Sequence, residues 1–260
     1  MSTGSVPPTG LAGPIARERG FLPLRLAYAL YAWSLLLTLG VFAVLGIVFL
    51  PGLERRRRVA RWGARAFLRA AGMPLTVRFA ERLPAGQCVV VANHCSYLDG
   101  LVFKAALPPR FGFVIKREMN SVPLVGLLLR RIGSLFVDRH NRHRGGADAR
   151  RVLRTAASGE SLVFFPEGTF SHTPGLLKFH SGAFAIAARA GCPVVPVVLR
   201  GTRRALPPAS ALPCPGRLEL EILPPVVPLA SAPDAATVEL RERARVAILV
   251  CLGEPDAAAA

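Results

Sequence analysis

Hydrophobic and polar positions follow one pattern in roughly the first seventy residues and another in the rest of the chain. From residue 26 to residue 50 no charged side chain interrupts a run of Leu, Ala, Val, Phe and Tyr. As a helix this run spans about 38 Å at roughly 1.5 Å per residue, enough to cross a bilayer core with some tilt. Tyr28, Tyr31 and Trp33 cluster near its start, where amphipathic rings prefer a membrane interface. The other reading, a core helix of a soluble domain, usually needs a shorter run. Pro51-Gly52 ends the segment, and seven arginines follow between Arg55 and Arg69. Val59, Trp62, Ala66, Phe67 and Ala70 recur at helical spacing among them, which predicts a basic amphipathic helix suited to an anionic leaflet. Such a helix can also pack on its own domain, and the two helices together can form a hairpin that enters one leaflet without crossing it. Only Arg17, Arg19 and Arg25 precede the apolar run, so the positive-inside bias places the chain after Leu50 in the cytosol.

After Gly72 short apolar runs alternate with helical periods. Strands are predicted over 75–79, 88–92, 111–116, 134–138, 161–165, 194–200 and 217–223, and helices over 101–107, 122–132 and 147–158, up to Gly191, and over 234–251. Pro123 suits the first turn of one helix, and Gly159 and Gly191 close two others. This alternation predicts an α/β fold, a mainly parallel sheet flanked by helices, with an N-terminal membrane-anchoring helical segment. The chain divides into a flexible tail (1–20), the apolar and basic helices (21–72), one α/β domain (73–252) and a disordered tail (253–260). In an open sheet of this kind ligands bind beyond the carboxyl ends of the strands.

Composition narrows the setting. Fifty-two per cent of the residues are hydrophobic and the formal charge is +17, which points to a polyanionic partner. No zinc-finger spacing, basic heptad or aromatic–basic RNA motif favours nucleic acid, so an anionic membrane is the expected partner. Cys88, Cys95, Cys192, Cys214 and Cys251 form no C-x-x-C pair, and their odd count suits a reducing, cytosol-facing location without a disulfide framework or zinc site.

Candidate chemistry gathers at the predicted strand ends. The strand at 88–92 runs into Asn93-His94-Cys95-Ser96-Tyr97-Leu98-Asp99-Gly100, a polar turn in which Asp99 either orients His94 as a base or caps the next helix. Lys116-Arg117-Glu118, Asp138-Arg139 and Arg200-Gly201-Thr202-Arg203 close other strands, and cations there suit a phosphate or a coenzyme A moiety. Phe165-Pro166-Glu167-Gly168-Thr169-Phe170-Ser171 leaves a strand so apolar that Glu167 stands out. There is no Gly-x-Ser-x-Gly elbow, P-loop, dinucleotide glycine fingerprint or His-Glu-x-x-His, so covalent serine hydrolysis, nucleotide binding and zinc hydrolysis lose their usual signals.

These blocks, in this order, resemble the glycerolipid and lysophospholipid acyltransferases. "NHCSYLDG" is similar to their N-H-x-x-x-x-D block and "FPEGTFS" to their F-P-E-G-T-R-S block. "IKREMNSVPLVGLLLRRIGSLFVDR" and "VVPVVLRGTR" resemble the intervening and final segments. The resemblance implies acyl transfer from acyl-CoA or acyl-carrier protein, as co-substrate and without cofactor or metal, to the hydroxyl of a lysolipid. The foremost acceptor is 1-acyl-glycerol-3-phosphate, giving phosphatidate. It implies a bacterial inner-membrane protein with its domain in the cytoplasm. It makes His94 the general base and Asp99 its partner. Asn93, Lys116, Arg139, Glu167, Gly168, Thr169, Phe170 and Pro196 become substrate-binding residues. Phe170 stands where the family commonly has arginine, and His180 where lysine is frequent. Loss of two cations points away from a dianionic head group and toward another acceptor, such as lyso-ornithine lipid. A non-catalytic membrane-binding protein on the same fold is the remaining alternative.

Overall fold

The computed structural model describes residues 22–138, 142–230 and 232–258. The helices are α1 (Leu22–Phe49), α2 (Leu53–Ala70), α3 (Asp99–Ala106), α4 (Val125–Arg131), α5 (Arg142–Ala157), α6 (Gly182–Ala190), α7 (Thr202–Ala205) and α8 (Pro233–Leu252). The strands are β1 (Leu75–Arg78), β2 (Val89–Ala92), β3 (Phe111–Lys116), β4 (Leu135–Val137), β5 (Ser161–Phe164), β6 (Val194–Arg200) and β7 (Leu218–Ile222). Among the described residues these strands form one sheet in the order β1-β7-β6-β2-β5-β3-β4, and every pairing is parallel except β6 with β7. The expected α/β architecture is present.

Strand periodicity explains the two cores. In β2, Val90 and Ala92 enter the layer built with α2 and α3, while Val89 and Val91 enter the layer built with α5, α6 and α8. All four are buried, because a central parallel strand is covered on both faces. β3 does the same: Phe111 and Phe113 belong to the first layer and Val114 to the second. Short crossovers then bring the carboxyl ends of β2, β5, β3 and β6 to one edge.

The N-terminal helices differ from the simplest expectation. α1 is long and apolar enough to cross a membrane by length and composition. It nevertheless lies along the rest of the protein, packed on α2 and touching α4. Near its start the hydroxyls of Tyr28 and Tyr31 donate to the carbonyls of Ala71 (2.6 Å) and Ala70 (3.0 Å), and the Trp33 indole donates to Ala211 (2.8 Å). At its other end Arg131 donates to the Val48 carbonyl at 3.0 Å. Its outer face leaves Leu30, Leu37, Phe42 and Phe49 exposed.

Within α2 the arginines do not all point away from the protein. Arg57 is 4% exposed, pairs with Glu160 and donates to the carbonyl of Ile132 at 2.9 Å. Arg65 and Arg61 donate to the carbonyls of Ala105 (2.8 Å) and Ala106 (3.1 Å), satisfying the last turn of α3. On the apolar stripe itself, Phe67 is buried and Trp62 is exposed.

The expected tail at 253–260 is also structured where described. The Leu176 N–H donates to the Pro255 carbonyl (2.9 Å) and the Ala257 N–H to the Leu176 carbonyl (3.1 Å), while Arg245 holds the Asp256 carboxylate. This strap lies over residues 175–177. Gly175, at φ +140°, sits where a Cβ would meet the Ala257 Cβ at 2.8 Å. The expected N-terminal tail (1–20) lies outside the described residues.

Candidate active site

His94 follows β2 directly, so its position is fixed by the most deeply buried strand of the sheet. Its Nδ1 lies 2.7 Å from Asp99 Oδ2. Asp99 opens α3 and is fully buried. Its carboxylate points back along the chain and accepts the N–H groups of Cys95 (2.7 Å) and Ser96 (3.0 Å) as well as the His94 ring. Asp99 therefore does not cap α3: one oxygen ties the turn together and holds the imidazole by Nδ1, so that the ring is oriented with Nε2 on the opposite side. The ring is further clamped by Phe165, stacked at 4.3 Å and 21°, and by the edge of Phe170 at 4.7 Å.

Cys95 could be mistaken for a nucleophile beside a histidine. Burial, reinforced by the Asp99 carboxylate, pushes its thiol up to about 12. It remains protonated and lies 3.1 Å from the Thr202 hydroxyl.

Glu167 supports the same turn from the end of β5. Its Oε1 accepts the His94 N–H at 2.6 Å and its Oε2 the Leu177 N–H at 2.9 Å. Two such hydrogen bonds favour the carboxylate, but burial outweighs them, and with Asp99 and Glu254 nearby the group is pushed up to about 7. Glu167 thus joins the His94 main chain to the loop that carries Leu177. Gly168, at φ +77°, turns that loop, with its N–H bonded to the Phe165 carbonyl at 3.1 Å. Thr169 is exposed, and Phe170 packs edge-on against the largely exposed ring of Tyr97 at 4.9 Å.

The remaining candidates are placed differently. Asn93 is buried and exchanges hydrogen bonds with the Leu199 main chain at 2.9 and 2.8 Å, joining β2 to β6. Pro196 is buried in β6 opposite Val91 and also serves the sheet. Lys116 ends β3, half exposed, with Glu118 at 3.5 Å. Arg139 lies outside the described residues. Three residues beyond the expected set complete the surroundings. Tyr97 is largely exposed and packs edge-on against Phe170. Arg203 donates to the Ser171 carbonyl at 2.7 Å and faces Glu254 at 3.5 Å. Lys104, on α3, sits over the Phe113 ring at 4.1 Å and is pushed down to about 7, chiefly by burial. The polar 94–99 turn could have marked Tyr97, and the basic end of β6 could have marked Arg203. Nothing local marks Lys104.

Beside Asp99 opens an apolar cavity of about 290 Å³. Gly100 and Leu101 line its site end, Leu36 and Ala43 of α1 and Phe67 of α2 form its wall, and Lys104 and Phe113 also line it. Its lining is almost wholly hydrocarbon, which suits a fatty chain.

Comparison with known proteins agrees with that arrangement. Residues 74–200, which contain His94, Asp99, Glu167 and Pro196, match the Acyltransferase family. A lyso-ornithine lipid O-acyltransferase of Pseudomonas aeruginosa is 34% identical over 169 residues, 62% of each chain. The 1-acyl-sn-glycerol-3-phosphate acyltransferase alpha of Bos taurus is 32% identical over 185 residues, 70% of this chain and 64% of its own. The chain thus spans under two thirds of the length of either relative. The crystal structure of the 1-acyl-sn-glycerophosphate (LPA) acyltransferase PlsC from Thermotoga maritima shares the fold, with TM-score 0.70, 24% identity, and 88% of this chain and 97% of that one covered.

Proposed function

We propose that this protein transfers a fatty acyl group from a thioester, acyl-CoA or acyl-carrier protein, to the free hydroxyl of a lysolipid. The observation that carries this reading is the His94–Asp99 pair at 2.7 Å beside an apolar cavity, within the residues that match the Acyltransferase family. His94 Nε2 removes the acceptor's hydroxyl proton as the oxygen attacks the thioester carbonyl. The first turn of α3 faces the developing oxyanion with main-chain N–H groups. The tetrahedral intermediate then expels the thiolate, which takes the proton back from the imidazolium and leaves as a thiol. The acyl chain occupies the cavity between α1, α2 and α3. The scheme calls on no metal or prosthetic group, the thioester being a co-substrate.

The foremost acceptor is 1-acyl-glycerol-3-phosphate, giving phosphatidate, because relatives across a wide range bear that name. A second reading, lyso-ornithine lipid, is favoured by Phe170, whose ring packs on His94 and Tyr97 where the family commonly has arginine. Both acceptors present themselves at a membrane. We place α1 within the leaflet on the cytoplasmic side of a bacterial inner membrane rather than across it, since both of its ends bond to the same domain.

Membranes carrying the protein are expected to acylate a lysolipid from a thioester donor, and His94→Ala to lower the rate by at least two powers of ten with unchanged folding. Retained turnover in His94→Ala would rule out the base mechanism. Offered a panel of lysolipids, Phe170→Arg is expected to move the preference toward the phosphate-bearing acceptor; an unchanged ranking removes Phe170 as the reason for selectivity.

A further inference from the structure

A second cavity, of about 350 Å³, lies on the opposite face of the sheet from α1 and α2. β3 is the partition between the two: Phe113 and Ile115 line the cavity beside α3, and Val114 lines this one. Ala149 of α5 and Gly182 and Ile186 of α6 form its sides, and Phe164 its floor. It ends at Phe165 and Pro166, and the Phe165 ring is the one stacked on His94. An occupant of this groove therefore reaches within one side chain of the proposed base, from the side facing away from the apolar helix.

Charge says what kind of occupant fits. Lys116 is two positions beyond Val114, so it stands on the groove's face of β3 at the carboxyl edge. Across the described side chains of α5, Arg150, Arg151 and Arg154 are exposed, while Asp148 is turned inward against Arg117 and the Asp138 N–H. His180 adds a polar group at the rim. A mostly apolar channel with Lys116, partnered by Glu118 at 3.5 Å, beyond its open end fits a slender, amide-bearing chain ending in a phosphate.

We propose that the groove between α5 and α6 holds the 4′-phosphopantetheine arm of the thioester donor, with Lys116 at its phosphate. The inference rests on the acyl-transfer reading and extends it. The donor straddles the carboxyl edge of β3 and β5, its acyl chain on the membrane-helix face and its water-soluble carrier on the other. Coenzyme A and carrier protein present the same arm, so both enter by one route. The α5 arginines then meet whatever lies beyond the phosphate.

The test uses the full chain in phospholipid nanodiscs. Gly182→Leu narrows the groove at a position where a Cβ meets nothing within 4 Å, and Ala149→Phe narrows it from the other side. Each is expected to raise the donor KM tenfold or more with acyl-CoA, acyl-carrier protein and acyl-4′-phosphopantetheine, leaving the lysolipid KM within twofold. Lys116→Glu is expected to raise the KM for acyl-4′-phosphopantetheine but not for acyl-pantetheine, which lacks the phosphate. Arg150→Glu combined with Arg151→Glu separates the sources, weakening the whole carriers more than the bare arm. Equilibrium binding of 4′-phosphopantetheine, which needs no turnover, is expected to be lost in Gly182→Leu. An unchanged donor KM in both narrowing variants, or a rise in the lysolipid KM instead, overturns the assignment while leaving the reaction intact. Groove-dependent binding without any acyl transfer by wild type upholds the groove and overturns the reaction.

Discussion

Glu167 shows how one residue can tie the His94 turn to the stability of the fold. It was legible as unusual because a carboxylate at the end of so apolar a strand needs a reason, but its partners, the N–H groups of His94 and Leu177, come from separate loops. Raised from 4.5 to about 7, it is protonated in the folded protein where the unfolded chain is already ionised. Its stabilising effect is therefore complete below pH 4.5 and is lost as pH rises through about 7, on the order of 3 kcal/mol at most. Lys104 has the opposite sign: held down from 10.5 to about 7, it makes the protein gain stability as pH rises from about 7 toward 10.5. Denaturant titrations across pH are expected to show a decline between pH 4.5 and 7 that flattens in Glu167→Gln. A decline equally steep in that variant would assign it to another group. Asn93 teaches the converse: its place in the motif suggested substrate contact, yet both ends of its amide are engaged by Leu199.

At the scale of elements, periodicity located most strands and helices, because β2 and β6 carry runs of valine and α6 and α8 stop at a glycine. The turn at Thr202–Ala205 was too short to leave a period. For α2 the pattern separated arginines from apolar positions without saying which face looks inward. The answer came from α3, whose terminal carbonyls need donors, and from the carbonyl of Ile132, which Arg57 meets. Arg57→Ala is expected to cost about 3 kcal/mol in unfolding experiments, at the lower end for a broken buried pair because Glu160 is 23% exposed. A loss below about 1 kcal/mol would mean that water replaces the guanidinium freely. The strap after α8 offers a sharper probe. Gly175→Ala sets a Cβ against Ala257 in a backbone conformation that L residues rarely adopt, and is expected to lower thermal stability and turnover together. Unchanged turnover in a folded Gly175→Ala protein would uncouple the strap from the Glu167 loop.

For the whole molecule, the proposed placement sets α1 toward lipid and the sheet toward water. The exposed Leu30, Leu37 and Phe42 side chains are each worth roughly 1.5–3 kcal/mol when taken out of water. Replacing all three by Ser is expected to release the protein from anionic vesicles in flotation assays, whereas 1 M salt alone leaves wild type bound. Release of wild type by salt would make the arginines, not α1, the anchor. The sequence by itself determined the α/β class and most element positions, and offered the pairing of His94 with Asp99 as one of two readings, because these rest on local periodicity and on groups five residues apart. Only the tertiary structure decided which way the Asp99 carboxylate points, that α1 lies along the domain, and that a cavity opens on each face of β3. Those outcomes depend on carbonyls, rings and strands far apart in the chain, and no local pattern records which of them a side chain will meet.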